Sequence, residues 1–317
     1  MGAVVWTANE GYFSNQNLSK ELRFALMPEC KFRQLAKIES AVGKRKGQKF
    51  MWNIYSKVDD KGGKLAAENT IPETGFSVTQ GELIITQFGN SIPYGGKVRD
   101  LAEHDIKEII NEVLKEDAKE ALDDDAAAQF DETPLRVVPT GGNSESQVTL
   151  TTNGTTTIQN NIGMGRKHLK TIANLMKERK IPRWKGNDYG AIGRPSTFEG
   201  LTAELEDVYK YVPQGYQQIV AGEIGRYGGI RCIEQTNIEA DETAFENGKS
   251  DWCYFFGARP IVEGVAVPEE IRAKIPIHYG LDEGLAWYYL GGFAIEFPHA
   301  DNARIVKWDS APAPSGD

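Results

Sequence analysis

Between Val98 and Phe130 the apolar residues recur at three- and four-residue intervals. Val98, Leu101, Ala102, Ile106, Ile109, Ile110, Val113, Leu114, Ala118, Leu122 and Ala126 share one side of a helix, and acidic and basic residues fill the other. The spacing predicts a helix of about 30 residues, roughly 45 Å long. That is nearly three times an average globular helix, so the rest of the chain has to be arranged around it. The run Asp123-Asp124-Asp125 reads as a solvated helix face or its fraying end. Adjacent helical residues point in different directions, which argues against a metal cluster there.

Upstream, residues 1–16 are polar and mixed and read as an extended arm. Residues 17–41 carry two helical stripes, Leu22, Ala25 and Leu26, then Phe32, Leu35, Ala36 and Ile38, broken at Pro28. Lys44, Arg45 and Lys46 form a basic turn between Gly43 and Gly47. The segment KFMWNIYSKV follows; it is rich in aromatic and β-branched residues and predicts a strand with Phe50, Trp52, Ile54 and Ser56 on one face. Asp59, Asp60, Lys61, Gly62, Gly63 and Lys64 make a flexible polar turn. A second extended region covers residues 70–97. Together these segments predict a long two-stranded flap. An isolated hairpin is marginally stable, so something outside the flap must support it.

Beyond Pro134 the texture changes. Residues 135–140 and 146–159 read as strands. Residues 165–180 predict a helix with Leu169, Ile172, Ala173 and Met176 inward and basic residues outside, closed by Pro182. Further strands are expected at 188–193, 229–236, 252–256, 260–267, 279–289, 293–297 and 304–308, with a helix at 196–205. Residues 236–250 form a polar, acidic loop carrying Asp241, Glu242 and Glu246, and residues 311–317 form a Pro/Ser/Gly tail.

A chain of 317 residues can bury roughly three quarters of its unfolded surface and needs no staples. Its three cysteines, Cys30, Cys232 and Cys253, are far apart and make no CxxC pair, which argues against a disulfide framework or zinc site. The formal net charge of −9 argues against a general nucleic-acid binder, which needs a basic excess to displace counterions. It leaves room for a protein that encloses DNA without gripping it. No apolar stretch approaches the roughly 18 residues of a membrane span, and the N-terminal residues lack the pattern of a signal peptide.

Catalytic patterns are missing. Gly163-Met164-Gly165-Arg166-Lys167 precedes a helix, but neither a P-loop nor a dinucleotide fingerprint is present. His104, His168, His278 and His299 are too dispersed for H-E-x-x-H, and no G-x-S-x-G elbow occurs. No nucleophile, base and orienter stand at a recognisable spacing. The expectation is a chain with no catalytic residues, no cofactor and no metal.

The order of parts is arm, flap, long helix, strands, then a mixed region whose strands return at the end. It resembles the α+β Hong Kong 97-type fold of tailed-bacteriophage capsid proteins, with its N-terminal arm, extended loop, peripheral domain with spine helix, and axial domain. Local sequence is similar to the N-four-type podovirus major capsid family. Gly222-Glu223-Ile224-Gly225 is followed by a glycine turn and a strand ending in Glu234-Gln235-Thr236. Ile181-Pro182, Tyr189-Gly190-Ala191-Ile192, Glu21-Leu22-Arg23 and Lys46-Gly47 also fit, and the likeness spans about residues 18–310.

The resemblance implies an arm at 1–45, an extended loop at 46–97, a peripheral domain at 98–150, an axial domain at 151–275, return strands at 276–310 and a tail at 311–317. It implies a structural subunit that self-assembles into pentamers and hexamers of an icosahedral shell around double-stranded DNA. Such a protein is made in the bacterial host cytoplasm and resides in the virion. Its partners would be further copies of itself, portal, scaffolding and decoration proteins, and DNA contacted non-specifically, with no membrane. An encapsulin-like compartment is the near alternative, and an α/β enzyme acting on a small metabolite the distant one.

Candidate contacts between subunits are Lys44, Arg45 and Lys46 on the basic turn, and Asp59, Asp60, Lys61 and Lys64 at the flap tip. Asp241, Glu242 and Glu246 would form a ring of like charge near the capsomer axis. No crosslink through Lys61 or Lys64 is expected. A separate scaffolding protein, and an N-terminus kept through maturation, are expected as well.

Overall fold

The structure is a computed structural model. It describes residues 30–39, 47–59, 62–65, 71, 73–102, 104–139, 148–151, 164–198, 201–202, 226–236, 238, 251–276 and 282–310. The described strands form three sheets. The first has the order β1 (Ala36–Glu39), β11 (Ile261–Ala273), β12 (Asp282–Ile295), β4 (Thr86–Gly95). The second has seven strands, in the order β6 (Val148–Thr151), β5 (Arg136–Pro139), β13 (Ile305–Ser310), β10 (Asp251–Phe256), β7 (Tyr189–Gly193), β9 (Ile230–Glu234), β8 (Arg226–Tyr227). The third is the flap, β2 (Lys49–Val58) against β3 (Phe76–Ile84).

The long amphipathic stretch is helical but interrupted. Helix α1 (Gly96–Leu101) ends before Ala102, and α2 (Ile106–Asp131) begins after Asp105. The Asp105 carboxylate accepts a hydrogen bond from the Lys107 N–H at 2.9 Å. It caps an otherwise orphan donor and restarts the helix. The single helix of about 30 residues is therefore a short one plus one of 26 residues. Ile106, Ile110, Leu114, Ala118, Leu122, Ala126 and Phe130 bury along α2 at strict four-residue spacing. They pack across Trp287, Tyr289, Phe293 and Ile295 of β12. Val113, expected inward, is largely exposed.

The helix expected at 17–41 is absent over its described part, residues 30–39. Arg33–Leu35 is one turn of 3-10 helix, and β1 pairs in parallel with β11, Ala36 opposite Ile261. Phe32 explains the change. It is fully buried, 5.1 Å from the Phe130 ring and 5.9 Å from Tyr254. Anchored there, the chain gains a strand ladder, and Ile38 is left exposed instead of inward. Local periodicity yields to tertiary pairing. The second half of the predicted flap also divides. β3 stays with β2, whereas β4 departs to pair with β12 over its whole length, Thr86 opposite Gly291 and Gly95 opposite Asp282. Two separate strands expected near the end are one, β12.

Helix α3 (Arg166–Glu178) buries Leu169, Ile172, Ala173 and Met176 as expected, against Trp308, Phe255 and Tyr189. Residues 195–198 and 201–202 are helical. The expected features at 1–29, 203–225 and 311–317 lie outside the described residues.

Candidate assembly surfaces

The flap is rooted on one side only. Its inner face carries Phe50, Trp52, Ile54 and Leu83, as the alternation predicts. Trp52 lies flat over Gly81, directly opposite on β3; a Cβ at Gly81 would sit 2.4 Å from the indole. The Trp52 Nε1–H donates to the Glu296 carbonyl at 2.8 Å. Leu83 and Ile85 continue into a small core with Val262 and Ala294. This root fixes the flap to the two central strands of the four-stranded sheet, β11 and β12.

The outer face is different. Met51, Tyr55, Val58, Phe76, Val78 and Ile84 are all exposed. Tyr55 stands opposite Val78 and its ring lies 6.3 Å from that of Phe76. Tyr55, Val78, Phe76 and Val58 are contiguous at the outer end of this face, whereas Gln80–Asn53 at 3.0 Å crosses it between Tyr55 and Met51, and Lys49–Glu82 at 3.0 Å lies toward its Ile84 end. The four apolar residues at the outer end make an exposed patch of the kind that serves as an interaction surface. The sequence signal for it is Met51 and Tyr55 in the otherwise polar phase of KFMWNIYSKV.

At the outer end, the Asp59 N–H donates to the Gly75 carbonyl at 3.0 Å and closes the ladder. Asp59 and Lys64 are exposed. Lys44, Arg45, Lys46, Asp60, Lys61, Asp241, Glu242 and Glu246 lie outside the described residues.

A buried polar network ties the segment around Arg33 to both sheets. Asp123 is buried, contrary to its expected place on a solvated face. Its two carboxylate oxygens accept from the Arg33 N–H at 2.9 Å and from the Gln235 Nε2–H at 2.8 Å. The Arg33 guanidinium reaches buried Glu263 at 2.7 Å and also pairs with Glu269. Burial disfavours the Arg33 charge, but those two carboxylates hold the guanidinium firmly protonated. Glu263 also accepts from the Tyr289 hydroxyl at 3.0 Å. Burial first, and that carboxylate second, push the Tyr289 hydroxyl far above its usual range. Lys307 is buried over the Trp252 ring at 3.8 Å and pairs with Asp131, which also accepts from Tyr254 at 3.0 Å. Through Asp123 and Asp131 these contacts fasten the C-terminal third of α2.

Open grooves flank α2. One of about 320 Å³ is lined by Leu114, Ala118, Ile271 and Trp287, with Arg33 and Lys115 beside them. The other, about 430 Å³, lies at the C-terminal end of α2, with Asp131, Trp252 and Tyr254 in its wall. His168 is a structural residue: its Nδ1 accepts from the Gly165 N–H at 3.0 Å and its ring packs 5.2 Å from Trp308. Among the described residues, no three His, Cys, Asp or Glu side chains are grouped to hold a metal ion. No described helix is long and apolar enough to cross a membrane.

No protein-family model matches the chain, and no curated protein does. Solved structures do. The capsid of Ralstonia phage GP4 matches at a TM-score of 0.71 and 14% identity, over 96% of this chain and 97% of that one. The capsid of Cyanophage P-SCSP1u matches at 0.71 and 10%, over 96% and 94%. The capsid asymmetric unit of Cyanophage Pam1 matches at 0.66 and 13%, over 94% and 96%. The chain therefore has the fold of phage capsid subunits, the α+β Hong Kong 97-type architecture that the sequence resembles.

Proposed function

We propose that this protein is the major capsid protein of a tailed bacteriophage. It self-assembles into pentamers and hexamers of an icosahedral shell that encloses double-stranded DNA, and it resides in the virion. The reading assigns the chain no catalytic step. The observation that carries it is the end-to-end match with capsid subunits, which leaves almost nothing of either chain unmatched. The flap supports it independently: a rooted hairpin with an apolar outer face has no purpose in a monomer but fits a repeated subunit contact.

In this reading the four-stranded sheet with α2 is the peripheral part and the seven-stranded sheet with α3 the axial part, which moves β11 into the peripheral part and β5, β6 and β13 into the axial part relative to the expected boundaries at 98–150, 151–275 and 276–310. Asp241, Glu242 and Glu246 belong to the segment joining β9 to β10 in the axial part and form the ring of like charge at the capsomer axis. Like charges that close are costly unless solvated or bound by cations, so capsomers should gain stability with added salt or divalent ions. The test of the whole reading is electron microscopy of the purified protein, alone and co-expressed with the scaffolding protein of its phage. Closed shells or capsomer rings are expected. A small soluble oligomer with ligand-dependent stability would overturn the proposal in favour of a metabolite enzyme.

A further inference from the structure

The net charge of the chain is negative, but its charges are segregated. Residues 166–188 contain eight Lys or Arg (Arg166, Lys167, Lys170, Lys177, Arg179, Lys180, Arg183, Lys185) and only two acids, Glu178 and Asp188. Helix α3 buries its apolar stripe, so Lys167, Lys170 and Lys177 project together from the opposite side. Lys180, Arg183 and Lys185 are exposed on the connector that follows.

The β8–β9 hairpin extends the same surface. Lys170 lies 5.8 Å over the Tyr227 ring. Arg226 and Arg231 each spend their Nε–H on buried Asp188, at 2.8 and 2.9 Å, and remain 60% and 44% exposed. Two arginines on one carboxylate leave a net positive group. Burial alone would raise the Asp188 carboxyl, but the Arg231 and Arg226 contacts outweigh it and hold the carboxyl below the usual range.

Two contrasts show what this surface takes. On α2, Lys115 pairs with Glu112, and Lys119 with Glu116 at 3.4 Å. Lys170, Lys177, Lys180, Arg183 and Lys185 make no ion pair with an acid among the described residues. The exposed large hydrophobic residues also lie elsewhere, on the flap, β1, α2 and β11 with its following residues; none of the described ones falls within 164–234. A protein interface needs an apolar centre and is depleted in lysine. An array of flexible lysines without one suits a phosphate backbone.

We infer that the surface formed by α3, its following connector and the β8–β9 hairpin contacts the phosphate backbone of double-stranded DNA without reading its sequence. The inference rests on the capsid reading for its biological setting, in which this surface faces the enclosed duplex. It reconciles an acidic chain with a DNA-filled shell: most of the surface repels the duplex and one face steadies it.

The test uses the full-length protein before assembly and two unrelated 30-bp duplexes, with binding followed by fluorescence anisotropy at 50, 100 and 200 mM salt. Both duplexes should bind equally. The variant K170Q/K177Q/K180Q/K185Q should lower affinity at 100 mM salt on the order of 100-fold and shrink the log–log salt slope by about one per lysine. The matching four Lys→Arg substitutions should restore binding, and an unchanged melting temperature should show that the Gln variant folds. Duplex affinity of the Gln variant within twofold of wild type would overturn the inference. So would shells lost in that variant while its duplex affinity persists, a result that assigns the face to an acidic protein. Failure of the wild-type chain to form shells would count against the capsid reading alone, since the duplex measurement precedes assembly.

Discussion

The flap and the seven-stranded sheet are made of similar residues and end in opposite environments. In β10, Tyr254 and Phe256 point into the core shared with α2, while Cys253 and Phe255 point into the core under α3. Both phases of the strand are covered within one subunit. In β2, Trp52 and Ile54 point to the body of the same subunit, while Met51 and Tyr55 point to solvent, more than half exposed. Strand propensity is the same; what differs is whether the second face finds a partner inside the chain. The sheet is covered on both faces in one copy, whereas the flap's outer face is open, and the proposed assembly would cover it with another copy. Substitutions in the two regions should therefore separate subunit stability from assembly.

The largest effect on stability should come from the shared core. Phe130 is fully buried and meets Phe32, Tyr254 and Phe256 with ring centroids 5.1 to 5.9 Å away. Phe130→Ala should cost about 3–5 kcal/mol, read by urea unfolding of the unassembled subunit. Asp123→Ala comes next. It strands the Arg33 N–H and the Gln235 amide in a buried site, at about 2–3 kcal/mol in the same assay. Trp52→Phe keeps the ring over Gly81 but leaves the Glu296 carbonyl without its donor. It should cost about 1 kcal/mol, and hydrogen exchange should rise in β2 while β10 stays protected.

A smaller effect is expected at Glu296. Burial raises its carboxyl above the usual value despite Arg304, Arg259 and Lys37, and Oε2 has no hydrogen-bond partner. A raised acid binds its proton more tightly in the folded state. Its favourable contribution is thus fully present below the ordinary glutamate pKa and is lost as pH rises through the raised value. Glu296→Gln should remove that dependence and lift the melting temperature at pH 8 on the order of 1 °C. A melting temperature that falls equally at pH 4 and pH 8 would contradict the assignment. The smallest effect on the subunit is the most informative. Tyr55→Ser with Phe76→Ser should change stability by less than about 0.5 kcal/mol, yet abolish shells in microscopy.

The sequence carries the same contrast unevenly. The four-residue stripe from Ile106 to Phe130 is visible because every residue in it joins one continuous core. The break before it is less so, although Asp105 three residues ahead of Glu108 is a helix-start pattern. The apolar spacing across Ala102 simply continues through the gap. Asp123 cannot be told from Asp124 and Asp125 by composition, since its partners Arg33 and Gln235 lie 90 and 112 residues away. β1 was equally hidden, its ladder being supplied by β11 from the far end of the chain. The flap's inner face follows from alternation, and its outer face is written in the other phase of the same ten residues. Charge placed the candidate contacts at the flap tip; of those, Asp59 and Lys64 are exposed there, while the apolar patch lies further back along the strands.

The central claim is that the flap's outer face is completed by another copy of the chain. Cryo-electron microscopy of the assembled protein tests it directly. The account predicts closed shells in which Tyr55, Val78 and Phe76 of each subunit are covered by a neighbour. Shells in which that face remains open to solvent, or a protein that forms none, would contradict it.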